Sequence, residues 1–571
     1  MNGITETKLI DKRTQWVDYY QTLKNQQKEN LSFYELDYDA NIPTGLGYEQ
    51  KTPSTARDWV DFGIMHYTLD NPRAIVTPLR SSEASREQST MLEDFDNYWL
   101  SRMILEIKAN AKKLLSMGEC FFKLTVDDKY YGIKTTDMKP DEFKEFEAKR
   151  ALFFPLKIEY PDPINVFPSP AGRGFWHPEV IEYYEMTVAQ AEEMCERNEW
   201  KWKSEKKSTD LVKFTSYYSD SERCLMLEDK PLLKGDVQPN WLKFNPYVHI
   251  PSGYGSSHYE GKPEYKYRSI FHGKKDMIKL QTRLLSQVDA ISARYAWPWY
   301  ELKGDLGIIQ SLYGKKGQMF VPNPFEAQIS SKEFDIIEHQ GTQPPTGLFQ
   351  HLGIVSALAE APPILGGQRP SGVYSGYGEV TLLATAKPIY KDPFKNLEDG
   401  LSVLMGMGAR VFENVLKYKL AIRGSLSKEE KFLEPDKIRG YYDNEVHLLA
   451  EPPEAADMRK TLGANLFKSG VISDLYNKIH YQDMTMEEAL EEQAQQLAEK
   501  IRNDPRILTI MGLDAMKRLG MEIAPELLQA MQGGGMSAET PTGAESVRRY
   551  QRTIPGVEGQ TLPQEAEVGQ V

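Results

Sequence analysis

The sequence predicts an α+β chain, and three observations carry that expectation. Apolar residues recur at spacings of three and four over two long stretches, about Ser85–Met117 and Glu264–Trp297, as they do in amphipathic helices. Between Glu119 and Pro251 the period shortens to two, as in half-buried strands. Proline and glycine punctuate the chain between these stretches, so the order of elements can be read. A chain of 571 residues is too long for one core, and roughly two to four subdomains are expected.

In order, a polar helix is expected around Arg13–Gln27, then a turn-rich stretch through Asn41–Gly47 and a short proline-bounded strand within Asn71–Pro78. The helix over Ser85–Met117 sets Leu92, Phe95, Trp99, Met103, Ile107 and Leu114 on one side, and Gly118 caps it. Strand candidates follow at Cys120–Val126, Leu156–Tyr160, Val180–Tyr184 and Leu211–Tyr217. Thr187–Gln190 has the capping-box pattern and opens a helix over Ala191–Glu199.

The middle of the chain, Lys262–Leu420, organises the rest. Its first helix presents Met277, Leu280, Leu284, Val288, Ile291 and Tyr295, with Lys274, Lys275, Lys279, Arg283 and Arg294 between them, and Pro298 ends it. At about 1.5 Å per residue this is a rod near 50 Å. Short strands at Gln318–Pro322 and Phe334–Glu338 form an insert beyond it. The chain returns as a helix over Gly347–Ala361 with Leu348, Leu352, Val355 and Leu358 as its stripe, and stops at Pro362–Pro363. Ile364–Gly378 is too rich in Gly and Pro for helix or strand. A long helix follows over Glu379–Ala421, kinked at Pro388 and Pro393, with Leu397, Leu401, Leu404, Val411 and Val415 on its buried face. A strand at Val446–Ala450 and helices over 455–531 come next, with a second capping box at Thr485–Glu488, and from Gly533 the composition predicts a disordered tail.

The sequence lacks the usual signatures of a catalytic, metal or nucleotide site. The formal charge of −13 argues against a module that grips nucleic acid by its phosphates. Cys120, Cys195 and Cys224 are far apart, without the spacing of a zinc site or a disulfide framework, and read as reduced thiols. Gly255–Pro263 has one residue too many for a phosphate loop, and Pro263 stands where the magnesium-binding hydroxyl belongs. The glycine clusters Gly45–Gly47, Gly376–Gly378 and Gly406–Gly408 lack the third glycine of a dinucleotide fingerprint. The nine histidines show no metal-binding spacing, and Asp127–Asp128 reads as a hairpin turn. No apolar run is long enough to cross a bilayer, and no signal pattern opens the chain. No catalytic residue, metal or cofactor is expected, so the chain reads as a non-enzyme.

The order of helix, β insert, helix ending in Ala361–Gly366, Gly/Ser loop and kinked long helix resembles the portal proteins of tailed double-stranded DNA bacteriophages. Asn245–Ser252 and Tyr160–Phe167 are similar to that family's strand-to-stem approach, and the likeness covers roughly residues 15–530. It implies a wing over 1–260, a stem at 261–298 and 346–363, a clip at 299–345 and a tunnel loop at 364–378. A kinked long helix and wing return over 379–454, a crown over 455–532 and the tail from 533 complete it. The function implied is a homo-oligomeric ring, twelvefold in the family, at one vertex of the capsid in the virion, assembled in the host cytoplasm. Its channel passes double-stranded DNA during packaging and ejection, with an acidic lining that lets the duplex slide. Terminase large subunit, head–tail adaptor, capsid and scaffold proteins are its implied partners, with no membrane. In that likeness Gln368, Arg369, Ser371, Tyr374 and Tyr377 of the tunnel loop face the channel, where Arg can touch phosphates without reading sequence. The five basic residues of the first rod lie on the stem, toward DNA or toward neighbouring subunits. The competing reading is a minor head or baseplate protein that binds protein partners without enclosing DNA.

Overall fold

A computed structural model describes residues 4–42, 49–68, 72–80, 82–130, 138–172, 174–198, 200–233, 237–256, 261–296, 299–303, 335–339, 345–366, 385–423, 430–448, 453–482, 484 and 486–502. It is a mixed assembly of helices and antiparallel sheets. The expected strand at Gln318–Pro322, the tail from Gly533, the helices beyond Arg502 and the opening of the second capping box at Thr485 lie outside the described residues.

The first helix, α1 (Glu6–Glu35), is 30 residues long, well beyond the expected Arg13–Gln27. Its buried side mixes Leu9, Trp16, Tyr20, Leu23 and Phe33 with Arg13, Lys24, Gln27 and Asn30. Arg13, Lys24 and Gln27 interrupt the apolar stripe in the sequence, while their partners lie far along the chain. After α2 (Thr55–Thr68) and β1 (Arg73–Ile75), the single helix expected over Ser85–Met117 is two, α3 (Glu83–Leu100) and α4 (Ile104–Met117). Trp99, Met103, Ile107 and Leu114 are buried on both sides of the break, so the stripe runs through it and periodicity cannot reveal it. Gly118 ends α4 at φ 90°, and a Cβ there would lie 2.5 Å from the carbonyl of Tyr267, so glycine is required.

β2 (Glu119–Val126) is the centre of a three-stranded antiparallel sheet, between β3 (Leu156–Glu159) and β10 (Tyr247–Pro251), with Phe122 opposite Val248 and Leu124 opposite Ile158. Between β2 and β3 sits α5 (Pro140–Ala151), which buries no residue and so left no apolar signal. A second antiparallel sheet runs β4 (Val166–Pro168), β5 (Glu179–Thr187), β6 (Leu211–Ser219), β7 (Glu222–Leu227) and β8 (Lys230–Pro231), with β9 (Gln238–Pro239) also on β7. The capping box at Thr187 is present: Gln190 N–H donates to Thr187 Oγ1 at 3.3 Å and Thr187 N–H to Gln190 Oε1 at 3.1 Å, opening α6 (Val188–Arg197). Asp128–Tyr130 is a 3-10 turn after β2, not the hairpin turn expected at Asp127–Asp128, because α5 lies between β2 and its partner β3.

The large core gathers on α10 (Lys391–Val411). Leu397, Leu401, Leu404, Met405 and Val411 are fully buried against Phe95, Trp99, Leu115, Phe122 and Ile250. Gly408 lets this helix approach α3, since a Cβ would lie 2.1 Å from the Trp99 ring. Of the long helix expected over Glu379–Ala421, residues 379–384 lie outside the described residues, Thr385 and Ala386 are helical, and only the far end is corrected. Pro388 lies in a 3-10 turn, Lys387–Tyr390, ahead of α10, and Pro393 falls in the helix's first turn, where its missing N–H has no partner to lose and forces no kink. At the far end Val411 passes into a π-turn, Phe412–Leu416, and Ala421 belongs to β13 (Leu420–Arg423), paired with β14 (Glu430–Leu433). β15 (Glu445–His447) pairs with β1, Val446 opposite Ala74, which ties the first part of the chain to its return.

Three helices follow: α11 (Pro453–Lys468), α12 (Asp474–His480), capped by Ser473 Oγ accepting from Tyr476 N–H at 3.1 Å, and α13 (Met486–Arg502). The chain divides after Ala489, and the described part of the second unit, Leu490–Val571, is the remainder of α13. Among the described residues no helix is long and apolar enough to cross a membrane.

Candidate functional site

The expected 34-residue rod is shorter. A single turn, α7 (Pro263–Lys266), is followed by a non-helical passage and then by α8 (Lys275–Ala296), whose 22 residues span roughly 33 Å. The chain leaves helical geometry to seat Ile270 and Phe271 in the core; Ile270 N–H donates to the Leu115 carbonyl at 3.0 Å, and Gly273 turns at φ 77°. Beyond α8, β11 (Trp299–Lys303) pairs antiparallel with β12 (Asp335–His339), and α9 (Thr346–Ala359) returns. Gln281, early in α8, meets Ser356 and Glu360 at the end of α9, while β11 and β12 pair at the other ends. The two helices therefore run side by side in opposite directions, with a β pair at their far end.

A polar clamp fixes the near end of this projection. Gln281, 3% exposed, donates from Nε2 to Ser356 Oγ at 2.9 Å and to Glu360 Oε1 at 2.8 Å, and its Oε1 accepts from the buried Thr55 hydroxyl at 2.8 Å. Trp59 Nε1–H donates to the Ala359 carbonyl at 2.8 Å, and the Tyr390 hydroxyl donates to the Trp59 carbonyl at 2.7 Å. The segment after α1 lies along the same helix: Tyr38 and Thr282 share a hydroxyl contact of 2.7 Å, and Lys51 N–H donates to Ser286 Oγ at 2.9 Å. The buried face of α8 is thus Ile278, Gln281, Thr282, Leu284 and Ser286, while Met277, Leu280, Val288 and Ile291 are only half-buried. None of the clamp residues was singled out in the sequence. The available signal was Gln281, Thr282 and Ser286 recurring at helical spacing beside the apolar stripe.

Four of the five basic residues have partners within the chain. Lys274 lies over the Trp59 ring at 4.1 Å and donates to the Ile270 carbonyl at 3.3 Å, and burial lowers its pKa. Lys275 and Lys279 both pair with Glu29 of α1, the second at 3.6 Å, and both lie near the Phe33 ring. Burial works to raise the Glu29 carboxyl, but the two lysines outweigh it and hold it below the usual range. Arg283 donates from Nε to the Ala40 carbonyl. The side chain of Arg294 lies outside the described residues, as do Gln368, Arg369, Ser371, Tyr374 and Tyr377.

Helix α9 buries Val355 and Ala359 and half-buries Leu348 and Leu352, as its period predicts, but Leu358 falls on the outside. With it Ile354 and Phe349 stand out, at 64%, 60% and 46% exposure respectively. The outer side of α9 is therefore apolar at these three positions. Among the described residues no three His, Cys, Asp or Glu side chains gather to hold a metal, and the buried Cys120, Cys195 and Cys224 form no disulfide.

No family model matches the chain, and no curated protein matches it.

Proposed function

We propose that the chain is one subunit of a homo-oligomeric ring of the portal type, a conduit for double-stranded DNA at a capsid vertex. The observation that carries this reading is the projection α8–β11–β12–α9, clamped to the body by Gln281 and Trp59, with Phe349, Ile354 and Leu358 bare on its return helix. A two-helix stem with an apolar exterior buries that exterior against the same projection of the next copy, a heterologous contact that closes into a ring. The basic residues at the stem base serve cohesion within the subunit in this account, because Glu29 and two backbone carbonyls occupy Lys274, Lys275, Lys279 and Arg283. DNA contact falls instead to the loop bearing Gln368, Arg369, Ser371, Tyr374 and Tyr377. The paired strands β11 and β12, beyond the two helices, mark the end of the projection on which a terminase motor and an adaptor dock. The conduit performs no chemistry itself and takes nucleotide hydrolysis from that motor.

The test is Ile354→Glu combined with Leu358→Glu, followed by sedimentation velocity and circular dichroism. Loss of the oligomer with unchanged helix content is expected, whereas an oligomer of unchanged size removes these residues from the interface and the reading with them.

A further inference from the structure

Two histidines that are 72 positions apart in sequence meet in the interior. His249 of β10 is 1% exposed and His177, in the approach to β5, 3%. His249 Nδ1 lies 2.8 Å from His177 Nε2. The outer nitrogens also have partners: His249 Nε2 lies 2.8 Å from Glu119 Oε2, and His177 Nδ1 lies 3.0 Å from the Ser169 carbonyl oxygen. The other oxygen of Glu119 accepts from Lys24 Nζ at 3.1 Å and Gln27 Nε2 at 2.8 Å, and Lys24 also donates to the Pro163 carbonyl at 2.6 Å. Helix α1, both large sheets and the loop before β5 converge on this row.

Proton counting fixes its state. A neutral imidazole carries one N–H, so two neutral rings supply two protons. The row contains three contacts that each need one: ring to carboxylate, ring to ring, and ring to carbonyl. The carbonyl cannot supply a proton, and neither can Glu119, because Lys24 and His249 outweigh its burial and hold its carboxyl at about 2. With only two protons, one contact would oppose two lone pairs at hydrogen-bond distance. We propose that His177 and His249 together bind one proton beyond those of their neutral rings, as a buried imidazolium–imidazole pair that fastens α1 to both sheets.

The surroundings suit a single positive charge. Glu119 attracts it from β2, and the Phe121 ring stacks on His249 at 4.4 Å. Lys24 from α1 opposes it, but is itself engaged by Glu119 and drawn by Asp162. Tyr267 meets His249 edge-on at 4.8 Å, and burial raises the pKa values of its hydroxyl and that of Tyr20, which keeps both neutral. A second proton is refused. Burial, then the charge on His249 and, more weakly, Lys266 push His177 down to about 4.

The experiment is hydrogen exchange at the histidine C2 position, read by mass spectrometry on the full chain in its native assembly from about pH 5 to 9, the span around an ordinary histidine. Wild-type His177 and His249 are expected to share one midpoint, and His177→Gln to move the His249 midpoint by about one unit or more while those of His272 and His447 stay in place. Independent midpoints in the wild type, flat profiles for both rings, or a His249 midpoint unmoved by the substitution would each overturn the proposal. The wild-type profiles alone suffice to do so if the variant fails to fold.

Discussion

Replacing Gln281 by Leu keeps the side chain's bulk in the clamp but removes two donors and an acceptor. Thr55, 2% exposed, loses the acceptor for its hydroxyl, and an orphaned buried donor costs about 1–3 kcal/mol. Ser356 is half-buried and loses a neutral hydrogen bond, about 1 kcal/mol, whereas the exposed Glu360 turns to water at little cost. The sum is about 2–4 kcal/mol, concentrated where α9 joins the body. At 1.4 kcal/mol per factor of ten this is roughly a 30- to 700-fold rise in the opening of that junction. Amide hydrogen exchange followed by mass spectrometry reads it directly: peptides covering Thr346–Ala359 should lose protection by that factor, while those covering β5 and β6 should not change. Unchanged protection in α9 would refute the reasoning, because the helix would then be held by its apolar side alone.

Lys24→Met leaves Glu119 buried beside one fewer cation and should cost about 3–5 kcal/mol in chemical denaturation, and adding Glu119→Gln should recover part of that loss. Asp96 is wholly buried, its two oxygens lack a hydrogen-bond partner among the described residues, and burial followed by Glu93 raises its pKa well above the ordinary value. The folded chain therefore holds a proton that the unfolded chain releases, so stability is fullest below the ordinary aspartate range and falls as pH rises toward the raised value. Asp96→Asn should remove that fall and raise the unfolding temperature at neutral pH, as read by differential scanning calorimetry across pH.

How far the sequence can be read depends on where each element's partners lie. The strands Cys120–Val126, Leu156–Tyr160, Val180–Tyr184 and Leu211–Tyr217 each fall within about three residues of the observed β2, β3, β5 and β6, because β-branched and aromatic residues crowd each run locally, even where both faces are buried. The capping box at Thr187 is local too. What escaped reading was decided at a distance. Arg13, Lys24 and Gln27 look like a solvated face until β2, β6 and Asp229, 92 to 216 positions away, are seen to receive them. Gln281 and Ser286 look like breaks in a stripe, but Thr55 and Lys51 are their partners. Ser101–Met103 could divide a helix unnoticed because the apolar face continues through the turn. The histidine pair had no local trace at all.

Native mass spectrometry with negative-stain imaging of the purified chain tests the central claim most directly. A closed ring with a central hole and a mass near twelve chains is expected. A monodisperse monomer or dimer that forms no ring even when capsid and scaffold partners are added would contradict it, and would favour a component that binds protein partners without enclosing DNA.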